Sequence, residues 1–90
     1  MRVRTLYFAR LRELTGRESE ELEVPESAVC IDVVRELIRA HGARLAAYVL
    51  DENGELRRSF ALAINGRKVG PNEPVREGDT VVIIPPISGG

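Results

Sequence analysis

The sequence closes with TVVIIPPISGG, residues 80–90. Four consecutive apolar residues at 81–84 are typical of a buried strand. Pro85 and Pro86 end that strand, because proline has a fixed φ and donates no backbone hydrogen bond to a sheet. We therefore predict a strand over residues 80–84 and a mobile tail over residues 85–90 that the two prolines direct away from the sheet.

Two glycines finish this tail. Glycine has no Cβ, so Gly89 and Gly90 can lie extended in a channel that is too narrow for any other residue. A terminal carboxyl group has a pKa of about 3.3–3.7, so the carboxylate of Gly90 is an anion at neutral pH and a poor acyl donor until it is activated. A Gly-Gly tail can also be an inert terminus. Its place just after a strand and a proline spacer favours a group presented to an activating partner.

The remaining segments predict further strands and one helix. Residues 3–8 and 21–24 have strand composition, and the turn residues at 15–17 predict that they form a hairpin. A helix that Gly42 ends is predicted from the spacing of Ile31, Val34, Leu37, Ile38 and His41. Residues 43–50 fit either a helical turn or the approach to a strand. Asn65-Gly66 predicts a second hairpin, between strands at 60–64 and 67–69.

This order of elements predicts a single α+β domain over residues 1–90, with a mixed sheet and one helix packed across one face. One helix covers only one face of such a sheet. Alternate residues of the apolar strand at 81–84 should therefore lie on an uncovered face, where a partner could bind.

Composition narrows the class of function. The 90 residues include 13 Lys and Arg against 14 Asp and Glu, a formal charge of -1, so the basic surplus of a nucleic-acid-binding protein is missing. The sequence has no apolar stretch long enough to span a membrane and no signal-peptide core. Its single cysteine, Cys30, excludes an intrachain disulfide and suits a reducing compartment. We expect a cytoplasmic protein without nucleic-acid or membrane partners.

The sequence resembles the MoaD family at both ends. The motifs that carry the resemblance are LYFARLRELTG at 6–16, the Asn65-Gly66 turn, Gly78-Asp79 and IPPISGG at 84–90. MoaD proteins are the small, sulfur-carrying subunit of molybdopterin synthase, and they are related to the thiamine sulfur carrier ThiS and more distantly to ubiquitin. The resemblance covers nearly the whole chain and implies the ubiquitin-like β-grasp fold.

The resemblance also implies a mechanism. An adenylating enzyme of the MoeB or ubiquitin-activating type would use ATP to convert the Gly90 carboxylate into an acyl-adenylate. A sulfur donor such as a cysteine desulfurase or rhodanese would turn this into a thiocarboxylate. The large, MoaE-type subunit would then pass the sulfur to a pterin precursor in molybdenum cofactor biosynthesis. The chain itself would be a non-catalytic subunit with no bound cofactor or metal.

The same resemblance implies roles for eight residues. Gly90 would carry the adenylate and the thiocarboxylate, and Gly89 would give the tail a narrow profile. Phe8 and Ile84 would be apolar anchors on the partner, with Phe8 rather than Tyr7 facing outward. The spacer that sets the reach of the tail would consist of Pro85, Pro86, Ile87 and Ser88.

Two other reactive side chains have simpler interpretations. Cys30 lies at the predicted helix start, where a thiol can have a lowered pKa and take part in redox or sulfur relay. A small capping or buried residue is the interpretation we favour. His41 has no second His or nearby Cys to complete a metal site, and it suits a favourable contact with the helix dipole.

Three alternative functions share these features. An activated Gly90 could form isopeptide bonds, as in a ubiquitin-like modifier, although Lys68 is the only lysine that could accept a chain. The same carrier chemistry could serve thiamine, tRNA or a tungsten-linked pterin. The non-chemical alternative is a β-grasp interaction module with an inert tail.

Overall fold

The computed structural model describes residues 1–86. Within them the elements are β1 (Arg2–Leu6), α1 (Ala9–Thr15), β2 (Ser19–Glu23), α2 (Cys30–His41), α3 (Ala43–Val49), β3 (Ala61–Ile64), β4 (Arg67–Val69) and β5 (Thr80–Ile84). The strands form one sheet in the order β2-β1-β5-β3-β4. The β1–β5 pair is parallel and the other neighbouring pairs are antiparallel. The predicted mixed sheet is thus confirmed, with β5 at its centre.

Side-chain alternation along the strands gives the sheet two different faces. In β1, Val3 and Thr5 are buried whereas Arg2 and Arg4 are exposed. In β5, burial likewise alternates along the strand, with Ile83 buried and Ile84 exposed. Because successive side chains of a strand point to opposite faces, one face packs against the helices and the other is largely uncovered.

The core lies between the sheet and the helices. α3 packs against both α1 and α2, so the three helices share one side of the sheet. They contribute some of the most deeply buried side chains, namely Leu11, Val33, Val34, Leu37, Leu45 and Val49. No helix in residues 1–86 combines the length and the apolar character that crossing a membrane requires.

The prediction of one helix is wrong, because the described residues form three. α1 was missed because it has seven residues and a single fully buried side chain, Leu11, which is too few for a helical period to be recognised. In α3 the buried residues are Leu45 and Val49, four apart as a helix face requires, so the ambiguous segment is a helix. α2 begins at Cys30 and ends at His41, as predicted.

Both predicted strand pairings are confirmed, with one correction to the connection. β1 and β2 pair, but α1 lies between them, and Gly16 ends this helix with a φ of 72°. β1 also stops at Leu6, so Phe8 is not a strand residue. Asn65 and Gly66 have φ values of 51° and 83°, as the tight two-residue hairpin between β3 and β4 requires.

Candidate functional site

Phe8 and Ile84 are the exposed large apolar side chains of the described residues. Phe8 is 46% exposed and Ile84 40%, whereas Tyr7 is 1% exposed. Phe8 is the N-cap of α1, and the next residue, Ala9, has a φ of 50°, in a region that non-glycine residues seldom adopt. The predicted outward direction of Phe8 is confirmed, and the start of α1 sets it rather than strand alternation.

The register of the sheet gathers apolar side chains around these two residues. Leu6, the last residue of β1, pairs with Val82 of β5. Phe8 follows Leu6 by two residues in the chain, and Ile84 follows Val82 by two residues along β5. On the other side of β5, Ala61 pairs with Ile84. These five residues are all at least partly exposed and form what we term the outer-face patch.

Positive charges flank the outer-face patch. Arg4 and Arg10 are exposed near Leu6 and Phe8 in the chain, and Lys68 is exposed on β4, opposite Ala63. Within residues 1–86, none of these three cations has a carboxylate oxygen within 4.0 Å. The sequence alone did not indicate this arrangement, since it depends on the pairing of four strands, β1, β5, β3 and β4.

The tail begins at the edge of the outer-face patch. Pro85 is half-buried and Pro86 is exposed, and both follow directly from Ile84. The four residues that complete the predicted site, Ile87, Ser88, Gly89 and Gly90, lie outside the described residues. Their roles, like the anchor roles of Phe8 and Ile84, stay predictions.

The family model described as the ThiS family matches residues 5–90. The chain belongs to the ThiS family. It is 35% identical to the molybdopterin synthase sulfur carrier subunit of Chlamydomonas reinhardtii, in an alignment that covers 100% of both proteins. It is also 32% identical to small archaeal modifier protein 1 of Haloferax volcanii, over 92% of this chain and 94% of that protein.

Solved structures agree with this ThiS-family assignment. The crystal structure of SAMP1 from Haloferax volcanii superposes with a TM-score of 0.93 and 29% sequence identity, covering 100% of each chain. The ubiquitin-like β-grasp fold and the resemblance to sulfur carrier subunits are thereby confirmed.

Cys30 is a buried residue of this ThiS-family fold. It is the first residue of α2 and is 0% exposed. Burial, together with the nearby carboxylate of Glu73, raises the pKa of the Cys30 thiol to about 11. The Cys30 thiol therefore does not have the lowered pKa that sulfur relay would require. The interpretation of Cys30 as a small buried residue is the one that fits.

We expect Cys30 to resist alkylation in the folded protein. A pKa of about 11 instead of 9.0 leaves roughly a hundredfold less thiolate at pH 7, and burial hinders access further. Iodoacetamide labelling at pH 7, followed by mass spectrometry, should be at least a hundredfold slower in buffer than in denaturant, where the same cysteine serves as its own control. Equal rates in the two conditions would contradict the buried position.

Glu20 of β2 joins the end of α2 to the segments just before and just after α1 through a hydrogen-bonded cluster. Tyr7 Oη donates to Glu20 Oε1 at 2.6 Å, and His41 Nε2 donates to the same oxygen at 2.7 Å. Arg17 Nη1 donates to Glu20 Oε2 at 2.9 Å. The end of α2 is thus tied to β2 and to the residue before Phe8. This partner of His41 was missed in the sequence, because 21 residues separate the two side chains.

The cluster shifts the pKa values of Glu20 and Tyr7. Burial alone would raise the pKa of Glu20, but the hydrogen bonds from His41 and Tyr7 outweigh it and hold the pKa below the usual 4.5. Burial and the bond to Glu20 raise the pKa of Tyr7. A carboxyl group whose pKa is lowered by folding stabilises the protein above its unfolded pKa, and this contribution is lost as the pH falls below about 4.5.

Replacing Glu20 with glutamine should therefore destabilise the fold in a pH-dependent way. We expect the free energy of unfolding at pH 7 to fall by about 1–3 kcal/mol, because charge-assisted hydrogen bonds are lost. The difference from the wild type should shrink as the pH is lowered from 5 to 3, measured by urea unfolding. Glu21→Gln, on the same strand but exposed, is the matched control. A pH-independent difference would contradict the ionised state of Glu20.

Proposed function

We propose that this chain is a sulfur carrier, the small subunit of a molybdopterin synthase, with Gly90 as its terminal and reactive residue. The observation that carries the proposal is the outer-face patch, because it exposes Phe8 and Ile84 where the chain leaves the sheet. A partner bound there also receives residues 85–90. The 35% identity, over the full length of both proteins, to a relative named a sulfur carrier subunit supports the pterin pathway.

The proposed chemistry uses the Gly90 carboxylate as the nucleophile of the first step. A carboxylate oxygen attacks the α-phosphorus of ATP, pyrophosphate leaves, and a mixed anhydride with AMP forms. The terminal sulfur of a persulfide donor attacks the acyl carbon, and AMP leaves. A thiol then reduces the resulting acyl disulfide, so that Gly90 ends as a thiocarboxylate. ATP binds to the adenylating enzyme in this scheme, and the carrier itself holds no cofactor.

Three kinds of partner follow from this chemistry. They are a large synthase subunit of the MoaE type, an adenylating enzyme of the MoeB type, and a persulfide donor such as a cysteine desulfurase or rhodanese. The adenylating enzyme requires ATP and the large subunit a small pterin substrate, which is consistent with a cytoplasmic location.

Docking to these partners has to be reversible. A dithiolene needs two sulfurs, so the carrier must leave the large subunit, be recharged and return. An apolar centre excludes water at the contact, while charges at the rim act mainly on the rate and specificity of association. Arg4, Arg10 and Lys68 accordingly select a partner surface with acidic residues around an apolar hollow.

Reconstitution tests the proposal. The protein is combined with the adenylating enzyme, sulfur donor and large subunit of its host, together with ATP and the pterin precursor, and molybdopterin is measured. We expect product only when all components are present. The control is a parallel reaction in which an established carrier and its own large subunit replace this chain and the large subunit of its host. If that control forms product and this chain does not, the pterin acceptor is wrong, and thiamine, tRNA and a tungsten-linked pterin are tested in turn.

A protein modifier is the second candidate. The 32% identity to small archaeal modifier protein 1 favours it. A modifier would join Gly90 to lysine ε-amines of target proteins, and with Lys68 as the single lysine, a chain could grow through one side chain only. Mass spectrometry of host extracts should find isopeptide-linked Gly90 if the chain is a modifier, and free carrier if it acts in sulfur transfer alone.

A further inference from the structure

A groove of about 360 Å³ lies on the helix side of the protein, away from the outer-face patch. Its walls come from α2, from the segment that precedes β3 and from the loop after β4. Its floor is apolar and is formed by Ile31, Leu56, Phe60 and Pro71. Phe60 is held in place by an edge-to-face contact with Tyr48, at a ring-centroid distance of 5.1 Å. Phe60 therefore provides the floor with an aromatic side chain of fixed orientation.

Three arginines line the rim of this groove: Arg35, Arg57 and Arg58. Glu55 is the one acidic side chain among the lining residues, so the groove carries a surplus of positive charge although the whole chain has a charge of -1. Arg57 Nη2 donates to the Ala47 carbonyl oxygen at 3.2 Å, which ties this guanidinium to α3 and leaves Arg35 and Arg58 as the principal cations of the groove.

The other two rim arginines are available to a ligand. Arg35 has only a loose, exposed pair with Asp32 at 3.6 Å, and Arg58 has no carboxylate partner among residues 1–86. Guanidinium groups with free donors bind carboxylates in bidentate geometry, which gives direction as well as affinity.

The groove lies near the place where the tail leaves the sheet. Phe60 precedes Ala61, and Ala61 pairs with Ile84, so the floor is next to the end of β5. Phe60 is 7% exposed and belongs to the core, whereas Ile84 is exposed on the outer face. The groove and the outer-face patch therefore lie on opposite sides of the sheet, both next to the point where the chain leaves β5.

We propose that this groove is a second protein-docking site, which takes a short acidic peptide segment with an apolar side chain from a partner protein. The apolar side chain lies on the Phe60 floor, and the flanking carboxylates bind the arginines of the rim. The groove is open on one side, which suits an extended segment better than a small ligand, since small-molecule sites bury most of their ligand. This site is independent of the chemistry at Gly90, and its position leaves the outer-face patch free for another partner.

Titration with synthetic peptides tests the site. ¹⁵N-labelled protein is titrated with Ac-DEDFLDE-NH₂ and with the uncharged Ac-NQNFLNQ-NH₂. We expect the acidic peptide to shift the amide signals of Ile31, Arg35, Leu56 and Phe60 saturably, with a Kd that rises with salt, and the uncharged peptide to bind at least about tenfold more weakly. No saturable shift, or shifts centred on the outer-face patch, would overturn the proposal.

Charge reversal at the rim separates a specific site from general electrostatic attraction. Arg58→Glu is the main variant, because this side chain makes no ion pair that its loss would break. We expect it to raise the Kd for the acidic peptide about tenfold, and the double variant Arg57→Glu/Arg58→Glu more strongly still. Arg44→Glu, on the exposed surface of α3 outside the groove, is the control and should change the Kd less than about twofold. Equal losses in the Arg44 and Arg58 variants would overturn the site. Thermal unfolding confirms that each variant is folded.

Discussion

Deleting Gly89 and Gly90 is expected to abolish sulfur transfer completely while leaving the fold intact. The reactive carboxylate then sits on Ser88, two residues short of the activating and transferring sites, and the narrow end of the tail is gone. The sheet and helices lie within residues 2–84, so the free energy of unfolding should stay within about 0.5 kcal/mol of the wild type. Molybdopterin formation in the reconstituted system and urea unfolding measure the two effects.

Gly70→Ala is the matched control for this deletion. Gly70 lies after β4, and a Cβ added there meets no atom within 4 Å, so the substitution changes a glycine without touching the tail. We expect it to keep full activity. If the deletion variant still forms molybdopterin, the tail is inert and the interaction-module hypothesis takes the place of the carrier.

A charge in the outer-face patch should disrupt partner binding nearly as severely. Phe8→Glu and Ile84→Glu each place a carboxylate where an apolar side chain would be buried against the partner. Each should weaken binding of the large subunit by about 2 kcal/mol or more, roughly a thirtyfold rise in Kd. Stability should change little, since both side chains are already exposed in the free protein. Isothermal titration calorimetry measures the affinity.

The control for these variants is Ala43→Glu, which adds the same carboxylate at an exposed position of α3, away from the outer-face patch. Its Kd should equal that of the wild type. Unchanged affinity in Phe8→Glu and Ile84→Glu would mean that partners bind elsewhere, and it would remove the observation on which the carrier proposal rests.

Local sequence patterns were enough to predict the sheet and the helix α2. The apolar run in β5, the Asn65-Gly66 turn and the helical spacing in α2 each depend on neighbouring residues, so a single sequence contains them. α1 escaped prediction because a seven-residue helix with one buried side chain has no period to detect. The segment now seen as α3 stayed ambiguous because its seven residues contain only one pair of buried side chains at helical spacing, Leu45 and Val49.

Only those parts of the candidate site that consist of consecutive residues could be predicted from the sequence alone. The tail and its proline spacer are consecutive residues. Strand alternation predicted that one alternate pair within residues 81–84 faces outward, and the family resemblance selected Ile84. The outward direction of Phe8 came from family resemblance, since Phe8 lies outside β1. The Glu20 cluster and the arginine-rimmed groove each join segments that are distant in sequence, so only the folded chain brings their residues together.

The most direct test of the carrier proposal is high-resolution mass spectrometry of the C-terminal peptide. The protein is first incubated with the adenylating enzyme of its host, ATP and a persulfide donor. In the intact protein, exchange of one oxygen for sulfur adds almost the same mass as oxidation of Met1 or Cys30. The C-terminal peptide contains neither residue, and its fragmentation locates the change on Gly90. We expect a thiocarboxylate at Gly90 whose formation requires ATP. An unmodified Gly90 carboxylate in the presence of a demonstrably active adenylating enzyme would contradict the carrier proposal.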